Sequence, residues 1–121
     1  LGKAKGTADC TAEEAAAWYF EYCSRERMAI DREEGNPARI ELSQIDDTKK
    51  NEKVFATVKK MPINLHKREF VFKHIMKKEG ESISVAVFPF KKTIDYGGLR
   101  RLVQGTTKAI FTATNMGCVG E

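Results

Sequence analysis

The stretch that most limits the possible folds is Met61 to Lys78, MPINLHKREFVFKHIMKK, with the dense apolar run Phe70-Val71-Phe72 and Ile75-Met76 behind it. Pro62 has no N–H and biases Met61 towards an extended backbone, so it suits a strand end. The polar bend Asn64 to Lys67 follows. The Phe, Val and Ile residues beyond it favour a strand that closes at Lys77-Lys78-Glu79-Gly80. Strand-like segments lie on both sides of it in the sequence, which predicts a place inside a sheet.

Upstream, Thr11-Ala12-Glu13-Glu14 has the form of a capping box, with Thr11 as N-cap and Glu14 at N3. The acidic pair suits the positive end of a helix dipole. Ala15, Trp18, Tyr19, Tyr22 and Cys23 recur at helical spacing, which predicts one helix that fades between Met28 and Asp31. Glu34-Gly35-Asn36-Pro37 is its stop signal. The rings of Trp18, Tyr19 and Tyr22 fit a core face, or an aromatic patch for a ligand or a membrane.

Almost everything later reads as strand. Ala38 to Ile45, Val54 to Val58, Glu69 to Met76 and Ser82 to Phe88 are the first four, with a turn at Asp46 to Asn51. In the fourth, Ile83, Val85 and Val87 share one face while Ser84 and Ala86 share the other. Lys91 to Gly98 is a longer loop. Leu99 to Gln104 and Lys108 to Asn115 read as a final hairpin joined by Gly105-Thr106-Thr107. One helix followed by about six antiparallel strands is an α+β arrangement. It is expected to form a single domain over 1–121, with residues 1–10 as a flexible lead-in.

A helix of about 17 residues spans roughly 25 Å, enough for part of a six-strand sheet. Each large apolar side chain left bare forgoes about 1.5–3 kcal/mol. The rest of the apolar face therefore lines a ligand cavity or meets an element outside this chain. Of the 121 residues 41% are hydrophobic and 31% charged, the composition of one globular domain. The net charge of +4 comes largely from lysine pairs such as Lys59-Lys60, Lys77-Lys78 and Lys91-Lys92. Such pairs blunt sheet edges, or meet acidic headgroups or nucleic acid. No apolar run approaches the roughly 20 residues a membrane helix needs, and no signal peptide is recognisable. Cys10, Cys23 and Cys118 form neither a CxxC site nor a disulfide framework. Together these features predict a cytoplasmic protein with reduced thiols.

Pro62, the short loop after it and Arg68-Glu69-Phe70-Val71 resemble the steroidogenic-acute-regulatory-related lipid-transfer (START) domain family, where a proline-containing loop precedes an Arg-Glu-Phe-Val strand. The helix ending in SRERM is similar to that family's helix before its first core strand. Thr107-Lys108-Ala109-Ile110-Phe111, followed by Asn115-Met116-Gly117, resembles its late strand leading into a glycine turn, although Asn115 stands where an acidic residue is common. The likeness covers roughly Glu13 to Gly120. It implies a helix-grip fold, with a curved antiparallel sheet wrapped on a long C-terminal helix and a tunnel between them for a sterol or other lipid. Glu121 falls before the place of that helix, so the implied domain is partial. Leu1 in place of a methionine agrees with a fragment or a processed product.

On this resemblance the candidate ligand-binding residues are Ile83, Val85 and Val87, together with Phe70, Phe72, Ile110 and Phe111. A one-residue slip of register would invert the last four. Arg68 and Glu69 are neighbours on a strand and point to opposite faces. One of them is expected on the concave side, as a polar anchor for a ligand hydroxyl or headgroup, or in a salt bridge with a neighbouring strand. The expected partners are a lipid or sterol, an acidic membrane surface touched peripherally, and further domains of a longer chain. Nucleic acid is not expected, since no base-stacking motif is present. Neither a cofactor nor a metal is expected, because His66 and His74 lack a suitably spaced third ligand. There is no GxSxG, and no catalytic residue is assigned. A helix-grip enzyme of cyclase or hydrolase type, using Arg68, Glu69 and His74, stays open. So does a protein-interaction module that docks a partner on an exposed sheet face.

Overall fold

The computed structural model describes residues 2–42, 51–62, 65–99 and 101–116. Ile45, the Asp46-Asp47 turn, Cys118 and the segment after Met116 lie outside the described residues. Thr11 caps the first helix, α1 (Ala12–Phe20): its Oγ1 accepts from the Glu14 N–H at 3.1 Å.

One long helix was the expectation, and the structure has two. Glu21 leaves helical geometry at φ −82°, ψ 71°, and the Tyr22 N–H turns to Phe20 O at 3.0 Å. Ser24 then caps α2 (Arg25–Glu33), accepting from the Arg27 N–H at 3.4 Å. The carbonyls that α1 leaves open find their partner in the next helix. Arg27 Nη1 donates to Trp18 O at 2.9 Å and to Tyr19 O at 3.0 Å. A guanidinium at a helix C-terminus satisfies orphan acceptors and suits the negative end of the dipole. The break is thus stabilised by a side chain that helical periodicity alone would leave in solvent. The stop signal holds for α2: Gly35 takes φ 78°, the left-handed setting of a helix C-terminus.

Six strands follow: β1 (Ala38–Leu42), β2 (Glu52–Lys59), β3 (Arg68–Glu79), β4 (Ser82–Pro89), β5 (Val103–Gln104) and β6 (Ala109–Thr114). They form one sheet in the order β1-β2-β3-β4-β6, all antiparallel along that path. The fold is α+β, as expected. At the β3–β4 hairpin the two-residue loop opens on Gly80 with φ 60°, the sign that tight hairpin turns require.

The expected last hairpin does not form. β5 pairs parallel with the start of β3, Arg68↔Val103 and Glu69↔Gln104, while β6 pairs with β4. The reason is local space on β3. β4 pairs only with Phe72 to Glu79, so the carbonyls of Lys67 and Glu69 are open to the amides of Val103 (2.9 Å) and Gly105 (2.8 Å). Gly105 must also pass against the Phe70 ring and the Arg68 stem, where a Cβ would collide with both. Only glycine permits that approach.

Register assigns the faces. Cross-strand partners share a side, so Phe55 with Phe72, Thr57 with Phe70, His74 with Val87, and Met76 with Val85 and Phe111 line one face. α1 packs on this face over β4 and β6, burying Ala16 and Phe20 against Ile83 and Val85, with Tyr19, Met76 and Phe111 around them. Complete burial of a Phe or Val side chain is worth about 1.5–3 kcal/mol each. The opposite face buries Ala56, Val58, Val71 and Glu69. Among the described residues, no helix is long and apolar enough to cross a membrane.

Candidate functional site

Beside α1, where the helix cover stops, a cavity of about 190 Å³ lies between the two helices and the faces of β2 and β3. Each element contributes for a reason already set by its sequence. The α1–α2 break swings Tyr19 and Tyr22 to one wall and sets Arg27 beside them. The alternation of β3 places Phe70, Phe72 and His74 on the floor, and that of β2 adds Thr57 and Lys59. Thr107, just past β5, completes the lining.

The floor is an aromatic cluster centred on His74. Its ring lies 4.9 Å from Phe55, 5.2 Å from Phe72 and 5.6 Å from Tyr19, centroid to centroid, and it stacks nearly parallel to Tyr19. Tyr19 stacks in turn on Phe111 at 4.5 Å. Such contacts add about 0.5–1.5 kcal/mol each beyond burial. His74 is itself only 2% exposed, and its Nδ1 lies 3.1 Å from Phe20 O. Burial, aided by the nearby Arg27 and Arg39 charges and only partly offset by that carbonyl, lowers its pKa from 6.5 to about 4. The imidazole is therefore neutral near pH 7. A carbonyl oxygen can only accept, so Nδ1 carries the proton and Nε2 keeps its lone pair.

The cations at the rim are held, and held differently. Arg27 is lowered in pKa, mainly by burial and then by Arg39, and is committed to the α1 carbonyls. Its Cζ sits 5.1 Å from the Tyr22 ring centre, on which Arg39 also stacks at 3.4 Å. Lys59 donates to Asp31 Oδ1 at 2.8 Å, and Arg39 Nη1 reaches the same oxygen at 3.3 Å. Asp31 is 3% exposed. Burial pushes its pKa up, but the Lys59 and Arg39 partners outweigh that and hold it below its ordinary value. Asn36 Nδ2 adds a third donor at 3.1 Å. Cys23, whose thiol burial raises to about 11, is unsuited to act as a nucleophile.

The candidate residues named from the sequence are divided by the structure. Phe70 and Phe72 line the cavity. Ile83 and Val85 lie under α1, packed on Ala16 and Phe20. Val87 joins Phe55 and Phe72 in the cluster next to the cavity, and Phe111 reaches it through Tyr19. Ile110 is 76% exposed on the other face of the sheet. Arg68 is exposed, beyond the lining of the cavity. Glu69 does face opposite to Arg68, but it turns away from the helices. There it accepts a hydrogen bond from Gln104 Nε2, while burial of Tyr96, and then the Glu69 carboxylate, raise the pKa of that tyrosine. Arg68 shares the helix-side row with Phe70 but stands outside the lining of the cavity. Arg68, Glu69 and His74 are not brought together.

Sequence reading missed Arg27, Asp31, Arg39, Lys59 and Thr107. A partial signal existed for Arg39, which shares its β1 face with Glu41 and so had to meet the helices or water. None existed for Thr107. Among the described residues, no three His, Cys, Asp or Glu side chains gather as a metal site would require. No family model, no curated protein and no solved structure matches the chain.

Proposed function

We propose that the chain is a START-like lipid-binding module that seats the ring or chain end of an apolar ligand between its helices and the β2–β3 face. The observation that carries this reading is the cavity of about 190 Å³ walled mainly by Tyr19, Tyr22, Phe70, Phe72 and His74. Aromatic walls with a few placed polar groups are the usual make-up of small-molecule sites. Whole drug-sized ligands occupy roughly 300–1,000 Å³, whereas benzene fits a cavity of about 150 Å³. By size, one or two rings enter and the remainder of a larger lipid stays outside this pocket.

The neutral state of His74 supports binding over proton transfer, since a group with pKa about 4 is a weak base near pH 7. The exposed lysines Lys91 and Lys92 fit a peripheral contact with acidic headgroups on a cytoplasmic membrane face. The test is extraction. The chain is incubated with vesicles containing a fluorescent sterol or a labelled phospholipid, then separated by gel filtration. Label co-eluting with protein is the expected result. A chain that retains no sterol, phospholipid or smaller aromatic compound overturns the reading.

A further inference from the structure

We infer that His74 Nε2 is the polar anchor of this cavity, and that the ligand is a flat ring compound presenting a hydroxyl donor to it. The inference rests on the reading that the cavity takes an apolar ligand, and specifies which chemistry that ligand carries.

His74 combines three properties that no other residue of the lining shares. It is almost wholly buried, yet it forms part of the cavity wall. Its Nδ1–H is spent on Phe20 O, which fixes both tautomer and ring direction. Nε2 has no hydrogen-bond partner among the described residues. Unlike Arg39 Nη2 and the Tyr96 hydroxyl, Nε2 is not sealed from solvent, so its lone pair is free to accept from a molecule that enters the cavity and donates to it. Among the other polar lining groups, Thr57 Oγ1 donates to Ala38 O at 3.0 Å, Lys59 to Asp31, and Arg27 to the end of α1, while the hydroxyls of Tyr19, Tyr22 and Thr107 can each donate or accept.

The surroundings settle the shape. Tyr19 stacks over the imidazole within 12° of parallel, while Tyr22 stands edge-on to it at 82°. A flat ring set edge to edge with the imidazole, in roughly its plane, brings a hydroxyl to the Nε2 lone pair. A ketone, an ether or a carboxylate would set an acceptor against the Nε2 lone pair and is disfavoured. The volume admits two fused rings.

The test uses 2-naphthol, naphthalene and 2-methoxynaphthalene, which share a ring system and differ in the donor. Affinities are read by fluorescence titration of the whole chain, alongside the vesicle extraction above. Wild type is expected to prefer 2-naphthol over the other two by about tenfold, the size of one net hydrogen bond. His74→Phe is expected to keep naphthalene binding and lose that preference. Because this variant can also disturb folding, ¹⁵N spectra of wild-type His74 provide an independent reading. The free chain is expected to show the Nδ1–H tautomer, and 2-naphthol to shift Nε2 upfield. Equal affinities for the three compounds, or an Nε2–H tautomer, overturn the role of His74 and leave the cavity reading standing. Binding of none of the three, with no lipid extracted, sinks both.

Discussion

The two helices cover neighbouring parts of one sheet face by opposite means. α1 buries Ala12, Ala16 and Phe20, and its grip on β4 and β6 is apolar. In α2 the one buried residue is Asp31, which is tied to β1 through Arg39 and to β2 through Lys59. Hydrophobic contact is non-directional and closes space, whereas an ion pair fixes distance and angle without filling volume. The cavity lies where the first mode gives way to the second. A chain with two apolar helices would tend to seal this face. The charged attachment of α2 holds a wall in position while leaving room behind Tyr22 and Arg27.

If that contrast is right, Asp31→Ala has the largest effect. It leaves Arg39 buried without its carboxylate and should cost about 3–5 kcal/mol in a urea unfolding curve. A loss under 1 kcal/mol would mean that α2 is held by something else. Phe20→Ala attacks the apolar side and should also cost up to about 3–5 kcal/mol by cavity formation. It differs in kind, because it should loosen α1 from Ile83 and Val85 while amide exchange in α2 stays protected.

Acid should separate the two regions more finely. His74 ties the floor to the end of α1, and its folded pKa of about 4 lies below the ordinary 6.5. Between those values the unfolded chain binds more protons than the folded one, so stability falls as pH drops through this window. Asp31 is depressed below its ordinary 3.8, so its share persists to lower pH and goes only as pH falls through its folded value. The α1 side should therefore weaken first. In His74→Phe the upper step should vanish from a pH series of melting temperatures while the lower one remains. A single step unchanged by that substitution would show that the two regions do not titrate separately.

How far the sequence could be read follows the range of the interactions involved. Thr11 as a cap, Gly35 as a helix stop and the alternation of Ile83, Val85 and Val87 each depend on residues within four positions, and each appears as expected. The misreadings all involve distant partners. Continuity of the helix through Tyr22 failed because Arg27 caps α1 from the next helix. The hairpin at Gly105 failed because β3 offered open carbonyls about 35 residues upstream, at an approach only glycine tolerates.

What the sequence determined by itself is the list of parts: a capped helix, a sheet built around Glu69 to Met76, and alternating apolar faces, since short-range sterics and side-chain period dictate these. Only the tertiary structure decided that α2 attaches through Asp31, that Tyr19 and Tyr22 close over His74, and that one imidazole nitrogen finds no partner among the described residues. Those outcomes depend on which buried groups from separate segments satisfy one another, and no local pattern encodes that pairing.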